Sequence, residues 1–146
     1  MTAERPPRGP RTLLGFDFGT RYIGVAVGQE LTGTAQALTA LPTRDGGPDW
    51  DAITRLVEEW QPQAFVVGLP LNMDDTEQPL TQAARRFGNR LQGRYNCPVY
   101  LVDERLTSVE ARQRLAEQRR GRRTKQNVDR LAAELILRTW LEQQGA

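Results

Sequence analysis

Three acidic residues lie far apart in the sequence, and each lies in or beside a segment whose apolar pattern predicts a strand or a helix. Asp17 ends an apolar run that begins at Leu13, Glu104 follows a second apolar run, and Asp129 lies near the start of the final helical pattern. Carboxylates that share a pocket repel one another, and a divalent cation removes that conflict. Because all-oxygen ligation selects Mg²⁺ or Mn²⁺ over Zn²⁺, these acids predict a magnesium or manganese site.

Each acid also has a purely structural explanation. Asp17 can cap a turn at the end of a strand, Glu104 can pair with Arg105 or cap a helix, and Asp129 suits the beginning of any helix. Asp17 nevertheless interrupts an apolar run, where an unpaired charge is costly. We therefore expect Asp17 to have a compensating cation, a set of hydrogen-bond donors or a metal ion.

A strongly basic segment precedes Asp129. From Glu104 to Lys125 the chain has eight bases and three acids, an excess that exceeds the net charge of +2 of the whole chain. Arginine forks fit phosphate oxygens, so bases next to an acidic metal pocket suit a phosphodiester substrate. A solvated surface loop is the alternative. The bases closest to Asp129 are Arg119, Arg120, Arg122, Arg123 and Lys125.

The composition excludes several kinds of catalytic site. The 146 residues include one cysteine, Cys97, and no histidine. A disulfide framework, a Cys/His zinc site and a Ser-His-Asp triad within the chain are therefore excluded. No apolar run approaches the roughly 18 residues of a membrane span, so we expect no membrane partner.

Length and composition predict one domain. The first residues are rich in proline and arginine and lack the apolar core of a secretory signal. We therefore predict a disordered tail over residues 1–11, a single domain over residues 12–146, and a cytoplasmic protein.

Apolar periodicity predicts the element order β-β-β-α-β-α-β-α-α. The expected strands are 13–18, 22–28, 35–41, 64–68 and 99–102, and the expected helices are 50–60, 80–95, a segment starting at Thr107, and 127–143. An antiparallel three-strand meander followed by strand–helix units predicts an α/β fold with a five-stranded mixed sheet and helices on its faces. Ligands bind beyond the carboxyl ends of the parallel strands, where Asp17 and Glu104 would meet.

Four segments match a known family in order and in spacing. They are LGFDFGTRYIGVA (14–26), VGLPLNMD (67–74), VDERLTSVEA (102–111) and KQNVDRLAAELIL (125–137). Together they resemble the motifs of the bacterial YqgF/RuvX family, which is similar to RuvC Holliday-junction resolvases. The resemblance implies an RNase H-like fold and a nuclease that matures the 5′ end of 16S ribosomal RNA, with branched DNA as the alternative substrate.

The resemblance also implies roles for individual residues. It assigns catalysis and metal binding to Asp17, Glu104 and Asp129, and we expect them to hold two Mg²⁺ or Mn²⁺ ions. Nucleic-acid binding is expected of the basic residues before Asp129 and of three further residues. Those three are Arg21, Asn72 and Arg105.

Two positions depart from the family pattern, and two other functions compete. Arg21 stands where lysine is frequent, and Asp75 stands where glycine is common. A non-catalytic RNA-binding assembly factor would share the fold, but an idle acidic cluster would repel phosphates. Actin-like sugar kinases share the acid-Gly-Thr hairpin, but they need two such domains. The sequence leaves the oligomeric state open.

Overall fold

The computed structural model describes residues 9–45, 47–106 and 125–145. In this part of the chain, five strands form one sheet and three α-helices pack on its two faces. The helix predicted to start at Thr107 lies outside the described residues, as do Arg119, Arg120, Arg122 and Arg123. Residues 1–8 are also outside, so the predicted tail and domain boundary stay predictions.

The strands confirm the predicted mixed sheet. β1, β2 and β3 form an antiparallel meander, β4 and β5 run parallel to β1, and the order is β3-β2-β1-β4-β5. Each strand end lies within one residue of its predicted position. The strands are β1 (Thr12–Asp17), β2 (Tyr22–Gln29), β3 (Thr34–Pro42), β4 (Ala64–Leu69) and β5 (Val99–Asp103).

Two of the three described helices begin within one residue of their predicted start, and the third begins two residues before its predicted start. They are α1 (Trp50–Trp60), α2 (Pro79–Tyr95) and α3 (Lys125–Gly145). Asp49 caps α1 by accepting a hydrogen bond from the Ala52 amide at 3.2 Å. Proline occupies the first position of α2, where its missing N–H leaves no hydrogen bond unmade. None of the described helices is both long enough and apolar enough to span a membrane.

The two faces of the sheet are packed differently. On one face, Phe16, Phe65 and Phe87 join buried residues of α1 and α2 in an aromatic core. On the other face, α3 lies against small residues. A methyl group added at Gly15 would lie 2.8 Å from the Leu137 Cβ. This second face therefore holds α3 unusually close to the central strands.

A cluster around Arg11 fastens the first strand at the opposite end from the acids. The Arg11 side chain donates to both Glu30 carboxylate oxygens at 3.0–3.2 Å and to the Tyr100 hydroxyl at 2.9 Å. These hydrogen bonds hold the pKa of Glu30 below its ordinary value of 4.5. The cluster links β2 to β5 across the sheet.

We expect Glu30→Gln to lower the free energy of unfolding by about 1 kcal/mol at pH 7, because a charge-assisted hydrogen bond becomes a neutral one. Since folding lowers the pKa of Glu30, the stabilisation is present above its ordinary value. It is lost as the pH falls through the lowered pKa. Urea unfolding of both proteins from pH 7 to pH 3 measures the difference.

The control is Glu142→Gln, which removes an exposed carboxylate near the end of α3. Its unfolding midpoint should stay within error of the wild-type value at each pH. A Glu30→Gln deficit that is equal at pH 3 and pH 7 would contradict the assigned linkage.

Candidate active site

Asp17 is the last residue of β1 and lies on the face that α3 covers. Side chains alternate along a strand, and Leu14 and Phe16 belong to the aromatic core on the other face. Leu13 packs in the α3 core, and Gly15 faces Leu137 of α3. Asp17, two residues further, therefore faces the same way, and it is only partly buried.

Asp129 reaches this place because β2 has a glycine opposite Asp17. Gly24 pairs with Asp17 in the antiparallel register. A methyl group at Gly24 would overlap the backbone carbonyl of Asp129, so the backbone of α3 rests directly on β2. Asp129 is 8% exposed. The glycine thus brings a buried acid of the last helix next to the end of β1.

Glu104 reaches the site from the other side through a second glycine. Glu104 opens a one-turn 3₁₀ helix directly after β5. A methyl group at Gly68 of β4 would lie 2.8 Å from Glu104 Oε1. Phe16 pairs with Val67 in the parallel register, so Gly68 lies beside Asp17. The three predicted acids therefore meet at one edge and on one face of the sheet, with Asp17 between the other two.

The described residues do not form a finished metal site. Among residues 9–45, 47–106 and 125–145, no group of three or more aspartate, glutamate or cysteine side chains could hold a metal ion as it stands. The donors at this edge are carboxylate oxygens, which suit Mg²⁺ and Mn²⁺. The donor chemistry therefore fits the predicted ions.

One sequence prediction about Asp129 is wrong. The helix was expected to begin near Asn127, which would place Asp129 in its first turn. α3 begins at Lys125, so Asp129 is the fifth helical residue. The helix dipole acts mainly on the terminal turn, and so it contributes less to Asp129 than predicted.

Arg105 is engaged with the protein itself. Its guanidinium donates to both Asp103 carboxylate oxygens at 2.7–3.1 Å, to Asp75 Oδ1 at 2.8 Å and to the Asn72 carbonyl at 2.7 Å. These contacts raise the pKa of Arg105, with the Asp103 hydrogen bonds as the main cause. Arg105 thereby ties the loop of residues 70–78 to the end of β5, next to Glu104.

The same contact accounts for the unusual residue at position 75. Asp75 has a φ of 72°, a left-handed conformation that glycine adopts most easily. Asparagine and aspartate tolerate this region better than other residues. The ion pair with Arg105 compensates for the conformation. Asp75 therefore serves as an anchor of the loop through its contact with Arg105.

The other residues predicted to bind nucleic acid differ in their surroundings. Arg21 is exposed in the turn after β1. The Asn72 side-chain amide donates to Thr76 Oγ1 at 2.9 Å and so stabilises its own loop. In the same loop, the Thr76 hydrogen bonds lower the pKa of Asp74. Lys125 is the first residue of α3, and the bases before it are outside the described residues.

The two glycines that position the acids were not among the residues predicted from the sequence to form the site. Gly24 and Gly68 each occur inside a recognised motif, but a strand glycine has many explanations. A glycine inside a strand often marks a close approach of another backbone. Both strand glycines gave that signal. The part of the protein that approaches each one, α3 for Gly24 and Glu104 for Gly68, lies far away in the chain.

Comparison with known proteins identifies the family. The family model described as "RuvX: Holliday junction resolvase" matches residues 11–143. This chain belongs to the RuvX family. The match covers all four sequence motifs and all three acids, so the resemblance inferred from the sequence is confirmed.

Close relatives of this RuvX chain cover nearly its whole length. A protein of Nitrosococcus oceani named "Putative pre-16S rRNA nuclease" is 56% identical over 144 residues, which is 98% of this chain and 95% of that protein. A protein of the same name from Yersinia pestis is 57% identical over 137 residues, with 92% and 97% covered.

Solved structures confirm the predicted RNase H-like fold of this family member. The chain is similar to Thermus thermophilus RuvC in complex with a Holliday junction substrate, with a TM-score of 0.54 and 16% identity, covering 92% of this chain and 97% of that one. It is also similar to the yeast mitochondrial Holliday junction resolvase Ydc2, with a TM-score of 0.55 and 11% identity, covering 91% and 78%.

We expect Gly24→Ala to lower the free energy of unfolding by about 1–3 kcal/mol, because the added methyl group meets a backbone carbonyl that cannot rotate away. The measurement is the urea midpoint, followed by circular dichroism. Gly93→Ala in α2 is the matched control, since no atom lies within 4 Å of the added methyl group. Removing a helical glycine there should stabilise the protein by about 0.5–1 kcal/mol. A Gly24→Ala midpoint at or above the wild-type value would contradict the close packing.

We expect Arg105→Lys to loosen the loop of residues 70–78 while the sheet stays folded, because lysine cannot reproduce the forked contacts with Asp103 and Asp75. Amide hydrogen exchange should rise several-fold at the loop amides of Asn72 and Asp75. Arg55→Lys, an exposed substitution on α1, is the control. Unchanged exchange in the Arg105→Lys loop would show that another contact holds it.

Proposed function

We propose that this protein is a divalent-metal-dependent nuclease that hydrolyses phosphodiester bonds at the sheet edge where Asp17, Glu104 and Asp129 meet. The observation that carries the proposal is the shared placement of these acids, which two strand glycines bring to one face. Membership of the RuvX family and the names of its relatives support it.

The three carboxylates would hold Mg²⁺ or Mn²⁺ as a two-ion site. Asp17, the middle acid, would contact both ions, while Glu104 and Asp129 would each complete one side. Bound ions of this kind lower the pKa of a water molecule and stabilise charge on the leaving oxygen.

The protein's own residues would supply the positioning. Buried Asp129 is held by the helix that rests on Gly24, so its carboxylate has little freedom to move away.

The proposed substrate is precursor ribosomal RNA, cleaved at the 5′ end of 16S rRNA in the cytoplasm. The names of relatives at 56% and 57% identity support this choice. The description of the family model favours a second candidate, the Holliday junction. Arg21, Asn72 and the bases from Arg119 to Lys125 would contact the substrate backbone, whereas Arg105 would hold the loop that carries Asn72.

We expect Asp17→Asn to reduce cleavage in Mn²⁺ by at least roughly 100-fold, because a neutral amide is a much weaker metal ligand. Single-stranded RNA, duplex RNA and a four-way DNA junction are assayed in Mg²⁺ and in Mn²⁺. Binding of Mn²⁺ is measured by titration calorimetry and should weaken in the variant. RNA binding in EDTA should persist, since phosphate contacts do not need the ions.

Glu59→Gln is the charge-matched control because it removes an exposed carboxylate of α1, away from the acidic edge. Its cleavage rate should match the wild-type rate. Cleavage by folded Asp17→Asn at the wild-type rate would rule out the mechanism. A wild-type protein that binds RNA but cleaves none of the three substrates would favour the non-catalytic assembly factor.

A further inference from the structure

Helix α2 carries a concentration of positive charge that the proposed active site does not use. Its 17 residues include four arginines and no acid, a charge larger than the net charge of the whole chain. Arg85 is neutralised by Glu77, whose carboxylate lies 2.7 Å from its guanidinium. The other three, Arg86, Arg90 and Arg94, are exposed and follow one another at four-residue spacing.

Three arginines at this spacing lie along one side of the helix. Four residues rise about 6 Å along a helix axis, so the line from Arg86 to Arg94 extends roughly 12 Å. Like charges at this spacing destabilise a helix. Among the described residues, no carboxylate forms an ion pair with any of the three. The line of arginines therefore lacks an internal counter-charge.

A cavity lies beside the first two arginines of this line. Its volume is about 220 Å³, and its lining includes Arg86 and Arg90, the Phe87 ring and the turn Phe18-Gly19-Thr20. Phe18 follows Asp17 directly, so the cavity opens at the sheet edge that carries the acids. Because side chains alternate, Phe18 faces α2 whereas Asp17 faces α3.

We infer that this cavity and the arginine line form a second binding site, which holds phosphates of the nucleic-acid backbone on the α2 side of the edge. The inference rests on the proposed nuclease function. Gly19 follows Asp17 by two residues, and two residues of polypeptide span at most about 7 Å. A nucleic-acid strand with one phosphate at Asp17 would therefore reach the cavity by crossing the Gly19-Thr20 turn. Arginine forks bind phosphate oxygens in pairs.

The aromatic residues near this site favour backbone binding over base stacking. The Trp50 ring already lies 4.2 Å from the Arg94 guanidinium carbon and stacks on Phe87 with ring centroids 5.6 Å apart. Arg94 is thus held in place by its cation–π contact. The Trp50 ring therefore serves to hold Arg94 for a phosphate contact that does not depend on the base.

The test is the salt dependence of RNA binding in EDTA, where cleavage does not interfere. Arg86→Gln and Arg90→Gln are made singly and together, and affinities for single-stranded RNA and duplex are measured by fluorescence anisotropy from 50 to 200 mM salt. Each lost phosphate contact should reduce the slope of log affinity against log salt by about 0.7 for a single strand and about 0.9 for a duplex. The double variant should lose roughly twice that.

Arg55→Gln is the matched control, because it removes an equally exposed arginine from α1. Its slope should equal the wild-type slope. If the Arg86 and Arg90 variants also keep the wild-type slope, the second site does not exist. If the two variants change only how strongly inorganic phosphate competes with RNA, the cavity binds free phosphate. The assignment of the cavity to backbone phosphates is then overturned.

A separate measurement keeps the two proposals distinguishable. Bis(p-nitrophenyl) phosphate is a diester too small to extend from the acids to α2, and its Mn²⁺-dependent hydrolysis by the wild-type protein tests the nuclease alone. Absence of that hydrolysis, with no cleavage of RNA or junction, counts against the nuclease. The slopes decide the α2 site in either case.

Discussion

The close approach of α3 to the centre of the sheet is the constraint on which the rest of the structure depends. Strands β1, β2 and β4 present glycines to this helix, and side chains of ordinary size at Gly24 or Gly68 would push it away. Packing at this density tolerates little displacement. The same contacts that bury the helix therefore also fix the position of Asp129 relative to Asp17.

This arrangement explains how acids from distant segments reach one place. Parallel pairing of β1, β4 and β5 brings the carboxyl ends of these strands to one edge. Asp17 and Glu104 follow from that topology, and Asp129 follows from the helix. The fold thus brings carboxylates from three distant segments to one edge and one face of the sheet.

The two faces of the sheet differ in charge as well as in packing. The α3 face carries the acids, and the α2 face carries Arg86, Arg90 and Arg94, which form no ion pair with any described carboxylate. A polyanion bound at these arginines would lie near the same edge, because the turn after Asp17 borders both faces of the sheet. Separating the bases from the acids by the thickness of the sheet prevents them from neutralising one another.

The loop of residues 70–78 shows that polar side chains in a recognised motif can also hold their own chain in place. Asn72 and Arg105 are polar and lie in recognised motifs, which indicated contact with substrate. In the structure, Asn72 bonds to Thr76, and Arg105 bonds to Asp103 and Asp75. The groups that a polar side chain bonds to are those that the fold brings near it. Asp75, for example, lies 30 residues from Arg105 in the chain.

The sequence by itself determined the five strands and the helices α1 and α2, because periodicity, capping residues and turn residues act over a few neighbouring positions. Strand ends were correct to within one residue for this reason. The sequence also predicted the three acids as a site, which stays a prediction. Only the tertiary structure decided that Gly24 and Gly68 make room for Asp129 and Glu104, that Arg105 turns toward its own loop, and that the arginines of α2 border the same edge. These relations depend on strand register and on the distance between helix and sheet, which arise from contacts between residues far apart in the chain.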